Sequence, residues 1–113
     1  MKASKKLFIK ILNNYGDIIN ADTLKELQKI TNGKDNEETK IFKLERRAKH
    51  LHAQKIDSII NMFIDMLDST FEPVAIGGTK YPYSVVYERV DPVAYEIELN
   101  DFINYMLDDL EEF

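Results

Sequence analysis

Residues 35–71 read D-N-E-E-T-K-I-F-K-L-E-R-R-A-K-H-L-H-A-Q-K-I-D-S-I-I-N-M-F-I-D-M-L-D-S-T-F, and this stretch decides the fold. It contains neither Gly nor Pro, and its apolar residues recur every three or four positions, as on a helix with one buried side. They are Ile41, Leu44, Ala48, Leu51, Ile56, Ile59, Phe63 and Met66. Asp35 or Asn36 can cap the start, and Glu37 and Glu38 suit the positive end of the helix dipole. We therefore predict one long helix, or two nearly collinear helices, around which the rest of the chain folds.

The length of this helix raises a question of packing. A helix of about 34 residues spans roughly 50 Å, whereas a compact domain of this size has a radius of gyration of about 13 Å. Either the helix breaks around residues 52–55, or it projects and packs on a second copy. Between Ile56 and Leu67 the apolar residues cover most of the circumference, which indicates several neighbours. We expect this section to form a homodimer.

Charge is distributed unevenly along the 113 residues, which we expect to form a single domain. Residues 1–56, a basic helical part, hold 13 Lys or Arg and 7 Asp or Glu, a net charge of +6. Residues 57–113 hold 2 and 13, a net charge of −11. Such asymmetry suggests a polyanionic partner for one half, a basic partner for the other, or pairing of the two halves. No apolar run is long enough to span a membrane and no signal peptide is evident, so we expect a cytoplasmic protein.

Shorter elements precede the long helix. Residues 5–13 form an amphipathic pattern that predicts a helix, and residues 14–17 carry a turn signal. Ile18 and Ile19 follow as a short extended pair. A second helix is expected from Asn20 or Asp22 to residue 30, with Gly33 in the left-handed position after its end.

After residue 71 the composition favours strands. Gly77 and Gly78 indicate a hairpin turn, and residues 83–90 are rich in Tyr and Val. Residues 93–99 alternate apolar and polar side chains, the period of a strand. Asn100 or Asp101 can then cap a last helix. The predicted fold class is α+β, with N-terminal helices that include one long central helix, a small antiparallel β-sheet or hairpin and a C-terminal helix.

The order of these elements resembles a winged helix-turn-helix DNA-binding domain of the bacterial response-regulator output type over residues 5–52. The resemblance rests on K-I-L-N-N-Y-G-D-I-I-N-A-D-T-L-K-E-L at 10–27 and T-K-I-F-K-L-E-R-R-A-K-H-L at 39–51. It implies that the basic half of the long helix enters the major groove of DNA. The Gly-Gly hairpin would act as the wing. In this sequence the helix continues for several turns beyond that half before the hairpin begins.

A nucleic-acid-binding surface is the first functional hypothesis, and DNA is favoured over RNA as the partner. Its candidate residues are basic side chains of the long helix that could hold phosphates: Lys40, Lys43, Arg46, Arg47, Lys49 and His50. Lys2, Lys5, Lys6 and Lys10 extend this patch if the first helix lies alongside. Such a run of charge is also typical of a solvated helix face.

A second hypothesis makes the acidic half a binding surface for a basic protein that handles nucleic acid. In size and charge the chain resembles small inhibitors of phage and mobile elements, including anti-restriction and anti-CRISPR proteins. The carboxylates of that surface would be Glu96, Glu98, Asp108, Asp109, Glu111 and Glu112. Alternatively, these carboxylates form a surface that only keeps the protein in solution, because such a surface has the same composition. In a third possibility the basic and acidic halves pair between copies.

No arrangement typical of catalysis is found, so we expect a non-enzymatic protein with no cofactor and no metal. His50 and His52 are two positions apart and face different sides of a helix, so they cannot share one metal ion. Residues 77–80, G-G-T-K, lack the spacing of a phosphate-binding loop and favour a hairpin turn. Tyrosines 81, 83, 87 and 95 could stack on bases, although tyrosine is also common in cores.

Overall fold

The computed structural model describes residues 1–108 and confirms the α+β fold class with its long central helix. The described residues contain five α-helices and one hairpin. In order these are α1 (Ala3–Tyr15), α2 (Ala21–Thr31), α3 (Glu37–Thr70), β1 (Val74–Ile76), β2 (Thr79–Tyr81), α4 (Tyr83–Val90) and α5 (Pro92–Leu107). The helix α3 is unbroken through residues 52–55 and is 34 residues long. None of the helices within residues 1–108 combines the length and the apolar character needed to cross a membrane.

The chain divides into two compact units, and the division falls inside α3 between residues 55 and 56. The first unit contains residues 1–55, and the second contains residues 56–108 of the described chain. This boundary lies one residue from the change of charge along the sequence. Residues 1–55 carry a net charge of +6, and residues 56–108 carry −8. Each unit therefore carries a large net charge, which is positive in the first unit and negative in the second.

The core of the first unit forms between α1, α2 and the first part of α3. Its buried members are Ile11, Tyr15, Leu27, Leu44, Ala48 and Leu51. Partly buried apolar residues of α1, α2 and the segment that joins them pack against this cluster. The α3 residues recur at spacings of three and four, so the predicted buried stripe is confirmed in this unit.

Side-chain caps start two of the helices in the first unit. The Asn20 Oδ1 accepts a hydrogen bond from the backbone N–H of Thr23 at 2.8 Å, and the Asn36 Oδ1 accepts one from Thr39 N–H at 2.8 Å. Asn20 and Asn36 are thus the residues that cap α2 and α3. The prediction of a left-handed Gly33 was wrong. Helix α2 ends at Thr31 with Asn32 as its C-cap at φ −96°, and within residues 1–108 the glycine of positive φ is Gly77.

The core of the second unit is largely aromatic. Phe63, Leu67 and Tyr95 are buried there. The Phe63 ring meets Tyr95 at a centroid distance of 5.5 Å with an edge-on angle of 67°, a favourable arrangement of two ring quadrupoles. The partly buried residues packed against this cluster are Tyr83, Tyr87, Leu99 and Phe102. Phe63 and Leu67 lie in the section expected to form a homodimer, and here they are buried within one chain.

Two predicted strands of the second unit are helices. Residues 83–90 form α4, and residues 93–99 lie inside α5. Asp91 starts α5 by accepting a hydrogen bond from Ala94 N–H at 3.1 Å, and Pro92 occupies the first helical turn, where its missing N–H costs nothing. Asn100 and Asp101 therefore lie within a helix and do not cap one. The β-sheet is a single antiparallel hairpin that pairs Val74 with Tyr81 and Ile76 with Thr79, and Gly77 turns it at φ +62°.

Carboxylates of α3 cap the first turns of α1 and α4. Glu37 accepts from Ser4 N–H and from Ser4 Oγ, each at 3.1 Å. Asp68 accepts from Ser84 N–H at 2.9 Å and from Ser84 Oγ at 3.0 Å. The residues that precede α1 and α4, Lys2 and Pro82, make no side-chain cap. One backbone N–H group at each of these helix starts is thus satisfied by a carboxylate of α3.

We expect Asp68→Ala to lower the free energy of unfolding of the second unit by about 1 kcal/mol, the usual cost of a lost helix cap. Urea unfolding followed by circular dichroism and tyrosine fluorescence measures this change. Asp65→Ala is the matched control, because Asp65 is exposed on the same helix and a surface substitution changes stability by no more than about 0.5 kcal/mol. Equal losses in the two variants would contradict a capping role for Asp68.

Candidate nucleic-acid interface

The six basic residues predicted on α3 have different environments. Lys40 is buried, with 8% of its surface exposed, and this burial disfavours a contact between its side chain and phosphate. The cause is its position. Residue 40 lies on the buried stripe of α3, four positions before Leu44 and eight before Ala48. The stem of Lys40 therefore packs inside the first unit, as the apolar part of a lysine side chain can do.

Two more of the predicted residues are engaged by carboxylates of the same unit. The Lys43 ammonium lies 2.7 Å from Asp35, in the segment before α3. The Arg47 guanidinium lies 3.3 Å from Glu26 on α2, and its Nε is buried without a hydrogen-bond partner in the described part of the chain. Each pair is partly exposed, so it contributes little to stability. Both pairs nevertheless neutralise a cation that the prediction assigned to phosphate.

Arg46, Lys49 and His50 are the predicted residues that remain exposed and outside any ion pair of residues 1–108. They do not form a uniformly basic surface, because the exposed carboxylates Glu38 and Glu45 lie on the same side of α3. This side of α3 therefore carries two strong cations and two carboxylates. The charges on this side of α3 therefore cancel, although the whole unit has a net positive charge.

The helix α1 carries a more uniform surface. Its exposed side bears Lys5, Lys6 and Lys10 and begins at Lys2, and the helix contains no Asp or Glu. At 100° per residue the exposed positions from 2 to 13 lie within one arc of about 160° and extend for about 16 Å. The signal in the sequence is the absence of acidic residues between Met1 and Tyr15.

Contacts within the first unit occupy a larger fraction of its carboxylates than of its cations. Three carboxylates are in ion pairs, including Asp17 at 3.4 Å from Lys55, and Glu37 is occupied by Ser4. Among residues 1–55, three exposed carboxylates are left outside these contacts, namely Asp22, Glu38 and Glu45. Eight exposed cations are left, namely Lys2, Lys5, Lys6, Lys25, Lys29, Lys34, Arg46 and Lys49. The surface of this unit is thus strongly basic.

The acidic residues of the second hypothesis belong to the second unit where the structure describes them. Glu96, Glu98 and Asp108 are exposed, whereas Asp109, Glu111 and Glu112 lie outside the described residues. Burial of the Tyr87 ring and then its hydrogen bond with Glu98 raise the pKa of the Tyr87 hydroxyl. Glu98 therefore has a partner within its own unit, and Glu96 is the more accessible of these two carboxylates on α5.

His52 and three of the four tyrosines singled out in the sequence have structural partners. His52 Nδ1 lies 3.1 Å from the Tyr15 hydroxyl, and burial raises the pKa of that hydroxyl. Within residues 1–108 no group of three or more His, Asp or Glu side chains is arranged to hold a metal ion. Tyr81 is exposed on the hairpin, while Tyr83, Tyr87 and Tyr95 belong to the core of the second unit.

Comparison with known proteins gives no relative of this chain, since no family model, no curated protein and no solved structure matches it. The resemblance to a winged helix-turn-helix domain therefore remains a prediction. The same holds for the wing role of the hairpin, which belongs to the second unit.

The contact between Glu37 and Ser4 makes the stability of the first unit depend on pH. The two hydrogen bonds from Ser4 and the nearby charges of Lys40 and Lys2 lower the pKa of Glu37 below its ordinary 4.5. A carboxyl group whose pKa is lower in the folded state stabilises the fold above its unfolded pKa, and loses this effect as pH falls through the folded pKa.

We expect Glu37→Gln to unfold at a lower temperature than the unmodified protein at pH 7. The difference should shrink below pH 4.5 as Glu37 itself becomes protonated. Thermal melting followed by circular dichroism across this range measures it. Glu38→Gln is the matched control, because Glu38 is also acidic in the first turn of α3 and is exposed. A pH-independent difference for Glu37→Gln would contradict the assignment.

Proposed function

We propose that this chain is a non-enzymatic regulatory protein that binds nucleic acid through the basic surface of its first unit. The observation that carries the proposal is the excess of eight exposed cations over three exposed carboxylates outside the contacts described above. A surface of this kind attracts the phosphates of a nucleic acid and releases their condensed counterions. The resemblance of residues 5–52 to a winged helix-turn-helix domain favours duplex DNA.

The charges favour α1 as the main phosphate contact. Its lysines lie on one side of a helix without carboxylates, whereas the exposed side of α3 mixes Arg46 and Lys49 with Glu38 and Glu45. Lysine is suited to holding phosphate as a point charge and carries little sequence information. Arg46 is the exposed arginine of α3, and its planar guanidinium can pair with a guanine edge. The affinity would then come mainly from α1, and any sequence preference from α3.

A salt series with two double variants tests this division of roles. Binding to a fluorescent DNA duplex is followed by anisotropy at increasing salt, with a single-stranded RNA of equal length for comparison. We expect Lys5→Gln/Lys6→Gln to reduce the slope of log affinity against log salt by about 2, since each lost phosphate contact removes about 0.9. Arg46→Gln/Lys49→Gln should weaken binding less and reduce any preference among duplex sequences.

Lys80→Gln is the control, because it removes one positive charge from an exposed residue of the second unit. Its salt slope should equal that of the unmodified protein. Absence of duplex retention at low salt would overturn the proposal. Retention on anionic lipid vesicles without retention of any nucleic acid would also overturn it, because the lysines of α1 would then serve a membrane surface.

The charge of the second unit favours a second candidate function, the binding of a basic protein that handles nucleic acid. Residues 56–108 carry ten Asp or Glu and only two cations, Lys80 and Arg89. The three ion pairs in the described chain all lie in the first unit. The carboxylates of the second unit are thus not neutralised by cations of their own unit.

Reversing the charge of Asp108, Asp109, Glu111 and Glu112 tests this second candidate. A basic nuclease or other nucleic-acid enzyme that the unmodified protein inhibits should be released by the fourfold variant and retained by Asp57→Lys, since Asp57 is exposed on α3. Continued inhibition by the fourfold variant would exclude this surface.

A further inference from the structure

The hairpin and α4 of the second unit form an open apolar groove. Its volume is about 330 Å³, and it is lined by Ile76, Tyr81, Val85, Val86, Arg89 and Val90. Arg89 is the one charged residue of this lining and makes no ion pair within residues 1–108. Aromatic and arginine side chains among aliphatic ones, without lysine or carboxylates, are the usual composition at the centre of a protein interface.

The register of the hairpin and the periodicity of α4 explain why the groove is apolar. Val74 pairs with Tyr81 and Ile76 with Thr79, so these four side chains lie on one face of the hairpin. On α4, Tyr83, Ser84 and Tyr87 face the core. Val85 and Arg89 lie on the opposite side of the helix, and Val86 and Val90 lie along one edge between the two sides. Val90 is 78% exposed and Ile76 is 56% exposed, so the groove walls remain largely uncovered in the single chain.

The neighbouring helix α5 presents a second uncovered surface of complementary composition. Val93 is 67% exposed and Ile97 is 57% exposed, and the exposed side chain of Glu96 lies beside them on the helix surface. The opposite side of α5 is also apolar, because Tyr95, Leu99 and Phe102 enter the core. A helix that is apolar on two sides is expected to have a neighbour on each. In the single chain α5 has a core neighbour on one side.

We propose that the groove of one copy receives the outer side of α5 from a second copy of this chain. Val93 and Ile97 of the second copy would fill the apolar part of the groove, and Glu96 would pair with Arg89. Because every copy carries both surfaces, a two-fold arrangement makes this contact twice and closes as a dimer. Glu96 then belongs to the contact between copies and not to the surface for a basic partner. This inference does not depend on nucleic-acid binding.

The charge of the second unit gives this dimer a distinctive salt dependence. Two copies bring together two units of net charge −8 each, and like charges repel over distances that salt shortens. Association should therefore strengthen as salt rises, while binding to DNA weakens with salt. The two associations can be separated by this opposite response.

Sedimentation equilibrium and light scattering over a concentration series, at low and at high salt, measure the mass in solution. We expect a mass of about 26 kDa, twice the 13.2 kDa of one chain, with more dimer at high salt. Arg89→Glu and Glu96→Arg should each give a monomer. Arg89→Glu/Glu96→Arg should restore the dimer, because the exchanged charges can pair again.

Lys80→Glu is the matched control for Arg89→Glu, since Lys80 lies on the face of the hairpin opposite to Tyr81. It should dimerise like the unmodified protein, and circular dichroism checks that all variants remain folded. A monomer at every salt and concentration would overturn the proposal. A dimer that survives Arg89→Glu, or a double variant that stays monomeric while Lys80→Glu dimerises, would also overturn it.

Discussion

Two carboxylates of α3 hold the N-termini of other helices, and each unit depends on one of these contacts. A helix start leaves backbone N–H groups without partners, and neither Lys2 nor Pro82 can accept a hydrogen bond from them by its side chain. Glu37 supplies the acceptors for α1, and Asp68 supplies them for α4. In both cases a serine at the second helical position donates through its N–H and its hydroxyl. The long helix thus determines where a second helix begins in each unit.

Much of the first unit could be predicted from the sequence, because its signals are local. The period of Leu44, Ala48 and Leu51 and the caps at Asn20 and Asn36 follow from neighbouring residues alone. The pairing of Arg47 with Glu26 could not be predicted, since it depends on how α2 packs against α3. For the same reason the sequence overstated the basic side of α3. The burial of Lys40 could be predicted from the helical periodicity, because residue 40 lies on the same buried stripe as Leu44.

The second unit shows how one pattern can satisfy two periods. Residues 93, 95, 97 and 99 alternate in a way that fits a strand, yet Tyr95, Leu99 and Phe102 also fit a helix with spacings of four and three. Asp91 and Pro92 form a helix start, and this signal decides between the two periods. The helix places Tyr95 and Leu99 inside and leaves Val93 and Ile97 outside. The exposed apolar surface of α5 is therefore a direct result of the helical conformation. In a strand, residues 93, 95, 97 and 99 would all lie on one face, which could be buried as a whole.

The tip of the hairpin offers a place to attach a spectroscopic reporter. The chain contains no cysteine, so one introduced thiol would be the sole site for a maleimide dye or a nitroxide. Gly78 suits this purpose better than Gly77. A side chain at either position would meet no atom within 4 Å, but Gly77 has φ +62°, a conformation that other residues adopt poorly. A probe at Gly78 would stand beside the strands without entering the aromatic core, and its mobility would register any molecule that settles on this end of the second unit.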